Sequence, residues 1–152
     1  MSKPEIISIC IKPDEPGVPV GFSRVMVRAV RLIAGFGVEG DVRAGHPRRQ
    51  LNLIDQAYAN KLRDQGYKTD PGQLGEHLIV SEIDLASLEI GARLRLGETL
   101  IEVTGRRTGC SRFKAIQQTE RDNVALGVMA KVIEGGMIAV GDPVTLLPIS
   151  TR

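Results

Sequence analysis

The sequence predicts a mainly β fold, a closed or partly closed β-barrel with one or two short helices. Three observations support this prediction: many short apolar or β-branched runs lie close together, glycine-containing turns separate them, and only one segment has a clear helical pattern. Closing the sheet would also remove exposed strand edges. The chain has 152 residues, about the length of one domain, so we expect a single domain over residues 1–152.

Two strands are expected near the start of the chain. The first is Ile6–Ile11, a β-branched run bounded by Pro4 and Pro13. Cys10 lies inside this run, and free cysteine is among the most buried residue types, so we expect it to be a small buried hydrophobe. After a loop rich in proline and glycine, residues 25–32 predict the second strand.

The middle of the chain predicts a strand followed by the one clear helix. Residues 51–54 form an apolar run, and Asp55 is a suitable N-cap for a helix that continues to about residue 65. Gly66 follows the helix and is suited to ending it. Residues 75–80 then lead into another strand.

The second half predicts two hairpins. Residues 93–96 and 99–104 flank a Gly-Glu pair that suits a tight turn. A short helical stretch should follow residue 110, and residues 128–133 and 138–146 predict the second hairpin. We expect the core strands to include residues 51–54, 94–96, 101–103 and 128–132.

Bulk composition excludes several classes of function. The net charge of +2 is too small to predict general affinity for polyanions, and an aromatic content of 3% leaves few platforms for stacking nucleic-acid bases. The two cysteines are far apart and do not form a secreted disulfide framework. The sequence has no signal-peptide pattern and no apolar run long enough to span a bilayer, so we expect a cytoplasmic protein without nucleic-acid or membrane partners.

The cysteine segment, residues 105–112, carries the strongest chemical signal. Cys110 follows a strand-like run on a glycine-containing turn. The cations near it are Arg106, Arg107 and Arg112. Nearby cations lower the pKa of a thiol, and arginine does not lose its own proton at neutral pH. Amides of Gly105 and Gly109 could also converge on an anion. The alternative is a basic surface loop with an incidental cysteine.

A second basic segment, residues 35–50, is rich in glycine. Its arginines are suited to phosphate or carboxylate, and they are Arg43, Arg48 and Arg49. Asp41 could orient one of them, although accepting backbone hydrogen bonds in a turn is commoner. His46 could be a ligand or proton carrier, but a lone histidine before proline is more often a turn residue. We predict an anion pocket with donors from both segments.

Ordered motifs run from about residue 25 to residue 144. They include Gly40-Asp41-x-x-Ala44-Gly45, Arg49-Gln50, Gly75-Glu76-x-Leu78, Leu94-x-Leu96-Gly97, Glu102-Val103-Thr104, Arg107, Cys110 and Gly141-Asp142-x-Val144. This ordered set resembles the MOSC domain family, named for the C-terminal domain of molybdenum cofactor sulfurase. The chain differs from the family pattern at three positions: Arg43 where histidine is frequent, His77 where asparagine is common, and Gly109 where proline usually precedes the cysteine.

The resemblance implies a β-barrel-like fold and a motif cysteine, Cys110, that binds molybdenum or carries sulfur as a persulfide. The implied cofactor is molybdenum cofactor (molybdopterin), an anionic pterin. Pyridoxal phosphate (PLP) would belong only to a cysteine desulfurase partner. The candidate cofactor-binding residues are Asp41, Arg43, His46, Arg48, Arg49, His77, Arg106, Arg107 and Arg112.

Three functions are therefore open. The chain could handle molybdenum cofactor or sulfur, it could be a small molybdoenzyme that reduces N-hydroxylated compounds, or it could be a non-catalytic β-barrel binding module. The enzyme would need an external reductase partner, because the sequence has no flavin fingerprint and no set of iron–sulfur cysteines. A zinc site from Cys10, Cys110, His46 and His77 lacks the paired ligand spacing of known zinc sites.

Overall fold

A computed structural model describes residues 3–13, 24–42, 44–121 and 123–148 of the protein. In these residues the chain is mainly β, with eleven strands and two short α-helices. The predicted mainly β class is confirmed. Within the described residues, neither helix is long and apolar enough to cross a membrane.

The strands are β1 (Ile6–Ile11), β2 (Val25–Val27), β3 (Ala29–Ile33), β4 (Gly37–Val38), β5 (Leu51–Asp55), β6 (Leu78–Val80), β7 (Arg93–Leu96), β8 (Thr99–Thr108), β9 (Ala125–Glu134), β10 (Gly136–Ala139) and β11 (Val144–Leu146). The helices are α1 (Gln56–Asp64) and α2 (Ser111–Gln117), and one turn of 3-10 helix covers Leu85–Ser87.

The strands form two sheets. Eight are ordered β11-β7-β8-β9-β5-β6-β1-β2, and three are ordered β10-β3-β4. Strands β5 and β6 are parallel and are joined through α1. Among the described residues, the large sheet is not closed into a barrel by a continuous ladder. Backbone bonds nevertheless link its distant parts, because Ile6 N–H donates to the Asp142 carbonyl at 2.9 Å and Val144 N–H donates to the Pro4 carbonyl at 3.0 Å.

Several local predictions agree with the structure. The Tyr58 amide donates to Asp55 Oδ2 at 3.1 Å, so Asp55 is the N-cap of α1. Gly66 follows the helix with a φ of +97°, and Gly97 forms the β7–β8 turn with a φ of +56°. The predicted core strands all lie within β5, β7, β8 and β9.

Two predictions about the strands are wrong. Residues 25–32 do not form one strand. The strand is interrupted at Arg28, and the chain continues in the other sheet as β3. The second predicted hairpin is absent from the described pairs, because β10 pairs with β3 instead of β9. Gly135 permits this change of sheet: a Cβ there would lie only 2.5 Å from the Leu32 carbonyl oxygen.

The core has two parts because β5 places alternate side chains on opposite faces. Leu51 and Leu53 belong to the larger cluster, whereas Ile54 packs in the smaller cluster with residues of both helices. Phe113 of α2 is 3% exposed within this smaller cluster. The helix that begins just after Cys110 is therefore held to the sheet by a buried aromatic ring.

Candidate anion and cofactor site

A pocket of about 80 Å³ lies where β1, β5 and β8 meet the start of α2. This volume is enough for several water molecules or a small oxyanion. Its cationic residues are Lys12, Arg24, Arg49 and Arg107. Its other lining residues are Asn52, Gly75, Thr108, Cys110, Phe113 and Ile116. The pocket thus combines four cations, one thiol and an apolar wall.

Arg107 and Arg49 reach the pocket from the two basic segments. Arg107 Nη1 donates to the Leu74 carbonyl at 2.7 Å, which fixes one edge of its guanidinium group. Burial and the charge of Arg24 lower the pKa of Arg107 to about 10, which still leaves the group protonated at neutral pH. Arg49 Nε lies 3.2 Å from the Met129 sulfur.

The cysteine segment is not a turn over its whole length. Strand β8 continues to Thr108, so the side chains of Arg106 and Arg107 point to opposite faces. Arg106 lies outside the pocket lining and donates from Nη2 to the Leu88 carbonyl at 3.0 Å. The amides of Gly105 and Gly109 do not converge on an anion as suggested, because Gly109 N–H already donates to the Val124 carbonyl at 2.8 Å.

Cys110 is exposed and immediately precedes α2. Its carbonyl accepts a hydrogen bond from Lys114 N–H at 3.0 Å, and the residue is part of the pocket lining. The charge of Cys110 acts to raise the pKa of Arg107, so the two groups are electrostatic neighbours. The side chain of Arg112 lies outside the described part of the protein.

The second basic segment contributes only Arg49 to the described pocket lining. His46 is exposed, and its Nδ1 accepts the Arg48 and Arg49 amides at 3.1 and 3.0 Å, which places the ring in a turn. Arg48 is also exposed, and its carbonyl accepts the Thr104 hydroxyl at 2.6 Å. Arg43 lies outside the described residues.

Asp41 and His77 form a buried pair outside the pocket lining. His77 Nε2 and Asp41 Oδ2 are 2.6 Å apart, and the backbone N–H of Asn52 donates to His77 Nδ1 at 3.0 Å. Since Nδ1 is an acceptor, we assign the proton to Nε2, which donates to Asp41. Nδ1 can accept only on a neutral ring, and burial also lowers the pKa of His77. Burial alone would raise the pKa of Asp41, but the hydrogen bond from His77, the charge of Arg24 and the hydrogen bond from the Lys12 backbone outweigh it and the pKa is lowered.

The sequence profile of the MOSC domain matches residues 40–145, well over half of the chain. The chain belongs to the MOSC domain family. The family is associated with molybdenum cofactor binding.

Solved structures share the fold of this MOSC domain at low sequence identity. The YuaD protein from Bacillus subtilis superposes with a TM-score of 0.72 at 19% identity, covering 95% of this chain and 97% of that protein. YiiM from Escherichia coli has a TM-score of 0.69 at 17% identity, covering 97% of this chain and 71% of YiiM. YiiM from Geobacillus stearothermophilus has a TM-score of 0.69 at 18% identity, covering 95% of this chain and 75% of that protein. No curated protein sequence matches significantly.

Sequence reasoning missed two cations of the MOSC pocket, Lys12 and Arg24. Lys12 follows β1 and Arg24 precedes β2, and these strands pair with Ile11 opposite Val25, which brings the two cations to the same end. Lys12 is only 5% exposed, which is rare for lysine. A lysine directly after an apolar strand was the available signal.

We expect the two thiols of the MOSC domain to differ strongly in reactivity. Cys10 is 1% exposed, and burial together with the charge of Glu76 raises its pKa to about 11. Cys110 is exposed beside Arg107. Iodoacetamide at pH 7 to 8 should therefore modify Cys110 at least about a hundred times faster than Cys10, as peptide mass spectrometry would measure. Equal rates in the folded protein would contradict the activated-thiol interpretation.

Proposed function

We propose that this protein binds molybdenum cofactor at the mouth of the pocket, with an anionic group of the cofactor inside the pocket and the Cys110 thiolate as the protein's ligand to molybdenum. The observation that supports this function is the position of Cys110, an exposed thiol on the wall of a pocket that also holds four cationic side chains. We also propose that residues 1–152 act as one domain in the cytoplasm.

The donor set fits such a cofactor. Thiolate is a soft ligand suited to a transition metal, and guanidinium groups suit the phosphate of a pterin cofactor. Ile116 adds apolar surface beside these cations. Among the described residues, no three His, Cys, Asp or Glu side chains cluster closely enough to hold a metal ion, so we assign Cys110 alone as protein ligand.

Three cationic residues of the pocket have separate parts in this proposal. Arg107 and Arg49 bind anionic oxygens, while Lys12 supplies a largely buried positive charge. When bound, the cofactor would supply a molybdenum centre for oxygen-atom or sulfur transfer, which no side chain provides by itself. A reductive reaction would take its electrons from an external reductase partner.

A second function, sulfur carriage, is favoured by the exposure of Cys110 to partner proteins. The Cys110 thiolate attacks the outer sulfur of a persulfide on a cysteine desulfurase. The donor S–S bond breaks, a new S–S bond forms on Cys110, and the desulfurase cysteine leaves as a thiolate. PLP remains with the desulfurase.

Metal and pterin analysis tests the proposed function. We expect protein purified from a host that makes molybdenum cofactor to contain molybdenum and pterin. Cys110→Ala should lose at least about nine-tenths of the molybdenum, because its soft ligand is removed. Cys10→Ala is the matched control and should retain the metal, since Cys10 is buried in β1.

The same preparations separate the two functions. A sulfur carrier without cofactor should gain one sulfur atom at Cys110 from a desulfurase and cysteine, as mass spectrometry would show. Wild-type protein with neither molybdenum nor transferable sulfur would contradict both functions. Molybdenum retained in full by Cys110→Ala would contradict the assigned ligand.

A further inference from the structure

Four residues form a continuous chain of hydrogen bonds that links two residues of the pocket lining. Lys12 N–H donates to Asp41 Oδ1 at 3.3 Å, and Asp41 Oδ2 accepts from His77 Nε2 at 2.6 Å. His77 Nδ1 then accepts from the backbone N–H of Asn52 at 3.0 Å. Lys12 and Asn52 line the pocket, whereas Asp41 and His77 do not. The buried imidazole therefore connects two pocket residues that are distant in sequence.

The chain continues toward Arg107. Asn52 Nδ2 donates to the Gly75 carbonyl at 3.2 Å, and Gly75 packs directly against the Arg107 guanidinium group. His77 itself is fixed by its backbone, since its carbonyl accepts from Cys10 N–H at 2.7 Å and its amide donates to the Asn52 carbonyl at 2.8 Å. A rigid His77 thus lies between the Lys12 side and the Arg107 side.

The contact to Lys12 is backed by a second bond. The Lys12 carbonyl accepts from Val42 N–H at 2.9 Å, so the Lys12 backbone is held on both sides by residues 41 and 42. Asp41 is 4% exposed and His77 is 1% exposed, so water cannot easily replace a bond that is lost between them. Losing the imidazole contact would leave the Asp41 carboxylate to reorient and would weaken its bond to Lys12 N–H, so Lys12 would shift while Val42 still holds its carbonyl.

We propose that His77 is a positioning residue for anion binding: its Nε2 orients Lys12 through Asp41, and its Nδ1 holds the Asn52 wall of the pocket. This inference deepens the proposed function and rests on the pocket binding an anion. His77 does not contact the anion and acts only through its two neighbours.

Two substitutions separate the two nitrogens. His77→Gln can place a donor near the position of Nε2 and keep the bond to Asp41. His77→Asn can place an acceptor near the position of Nδ1 and keep the bond from Asn52, but it is too short to reach Asp41. Both variants remove the ring, and Asn is one methylene shorter than Gln.

The readout is the affinity for inorganic phosphate, measured by calorimetry with and without Lys12→Ala. His77→Asn should weaken phosphate binding about threefold to tenfold, the scale of one hydrogen bond. Adding Lys12→Ala to His77→Asn should then weaken it little further, because Lys12 is already misplaced. In the His77→Gln background Lys12→Ala should retain its full effect. A role in stability alone would not produce this difference between backgrounds.

The outcomes distinguish this inference from the proposed function. Wild-type protein that does not bind phosphate would overturn the proposed pocket and this inference together. Wild-type binding with unchanged affinity in His77→Asn, or with full additivity of Lys12→Ala in both backgrounds, would overturn the inference alone.

A measurement on the wild-type protein tests the same inference even if the variants fail to fold. The chain has only two histidines, so their ring nitrogen signals can be assigned by NMR. Phosphate should shift the signals of the buried His77 ring through Lys12 and Asn52. Phosphate binding that leaves the His77 ring signals unchanged would overturn the role of His77.

Discussion

Gly127→Ala is expected to destabilise the protein by at least about 3 kcal/mol, enough to unfold a marginal domain. Gly127 lies in β9 with a φ of +96°, where an alanine is already strained. A Cβ at this position would also overlap the Leu53 carbonyl oxygen and lie 3.1 Å from the Ile54 Cα. Both obstacles are backbone atoms of β5, so no side-chain rotation can relieve them.

Gly91→Ala is the matched control for this prediction. Its φ of +94° is almost the same, but a Cβ there would meet nothing within 4 Å. We expect this control to lose only about 1–2 kcal/mol, the cost of the backbone conformation. Urea unfolding of the two variants measures the difference, which reports the contact between β9 and β5. Equal unfolding midpoints would show that the strands can separate at Gly127 at little cost.

Features with local signals could be predicted from the sequence. The N-cap at Asp55 needs only the amide of Tyr58 three residues later, and the β7–β8 turn needs only a glycine at position 97. The contrast between the buried Cys10 and the exposed Cys110 also follows from their immediate neighbours. Each of these features is determined within a few residues.

Features that depend on strand pairing could not be predicted. Arg24 joins the pocket because β2 pairs with β1, and the sequence gives no register for that pair. Likewise, β10 pairs with β3 across about a hundred residues, although β9 is its neighbour in sequence. Local turn signals favour hairpins, so they cannot indicate a change of sheet at Gly135.

In the cysteine segment, strand alternation was an available signal that the sequence prediction did not use. Its first four residues continue β8, so strand alternation separates Arg106 from Arg107. Treating the segment as a turn allowed both arginines to point to one pocket. Gly109 has a structural reason as well, because a Cβ there would lie 2.5 Å from the Phe113 ring.

Gly75→Ala is expected to weaken phosphate binding at least about tenfold while leaving the fold intact. The added Cβ would collide with the Arg107 guanidinium group, the mobile end of a long side chain, so Arg107 would move and lose its bond to the Leu74 carbonyl. A charge-assisted hydrogen bond to an anion is worth about 1.5–3 kcal/mol, which corresponds to a loss of this size. Calorimetry with inorganic phosphate measures it.

Gly35→Ala separates this effect from backbone strain. Gly35 has a φ of +70°, close to the +74° of Gly75, but a Cβ there meets nothing within 4 Å and Gly35 does not line the pocket. We expect both variants to lose about 1–2 kcal/mol of unfolding free energy, because both place alanine at a positive φ. Only Gly75→Ala should lose phosphate affinity, and its loss should approach that of Arg107→Ala. If Gly75→Ala binds phosphate as tightly as Gly35→Ala, the position of the Arg107 guanidinium group does not determine anion binding.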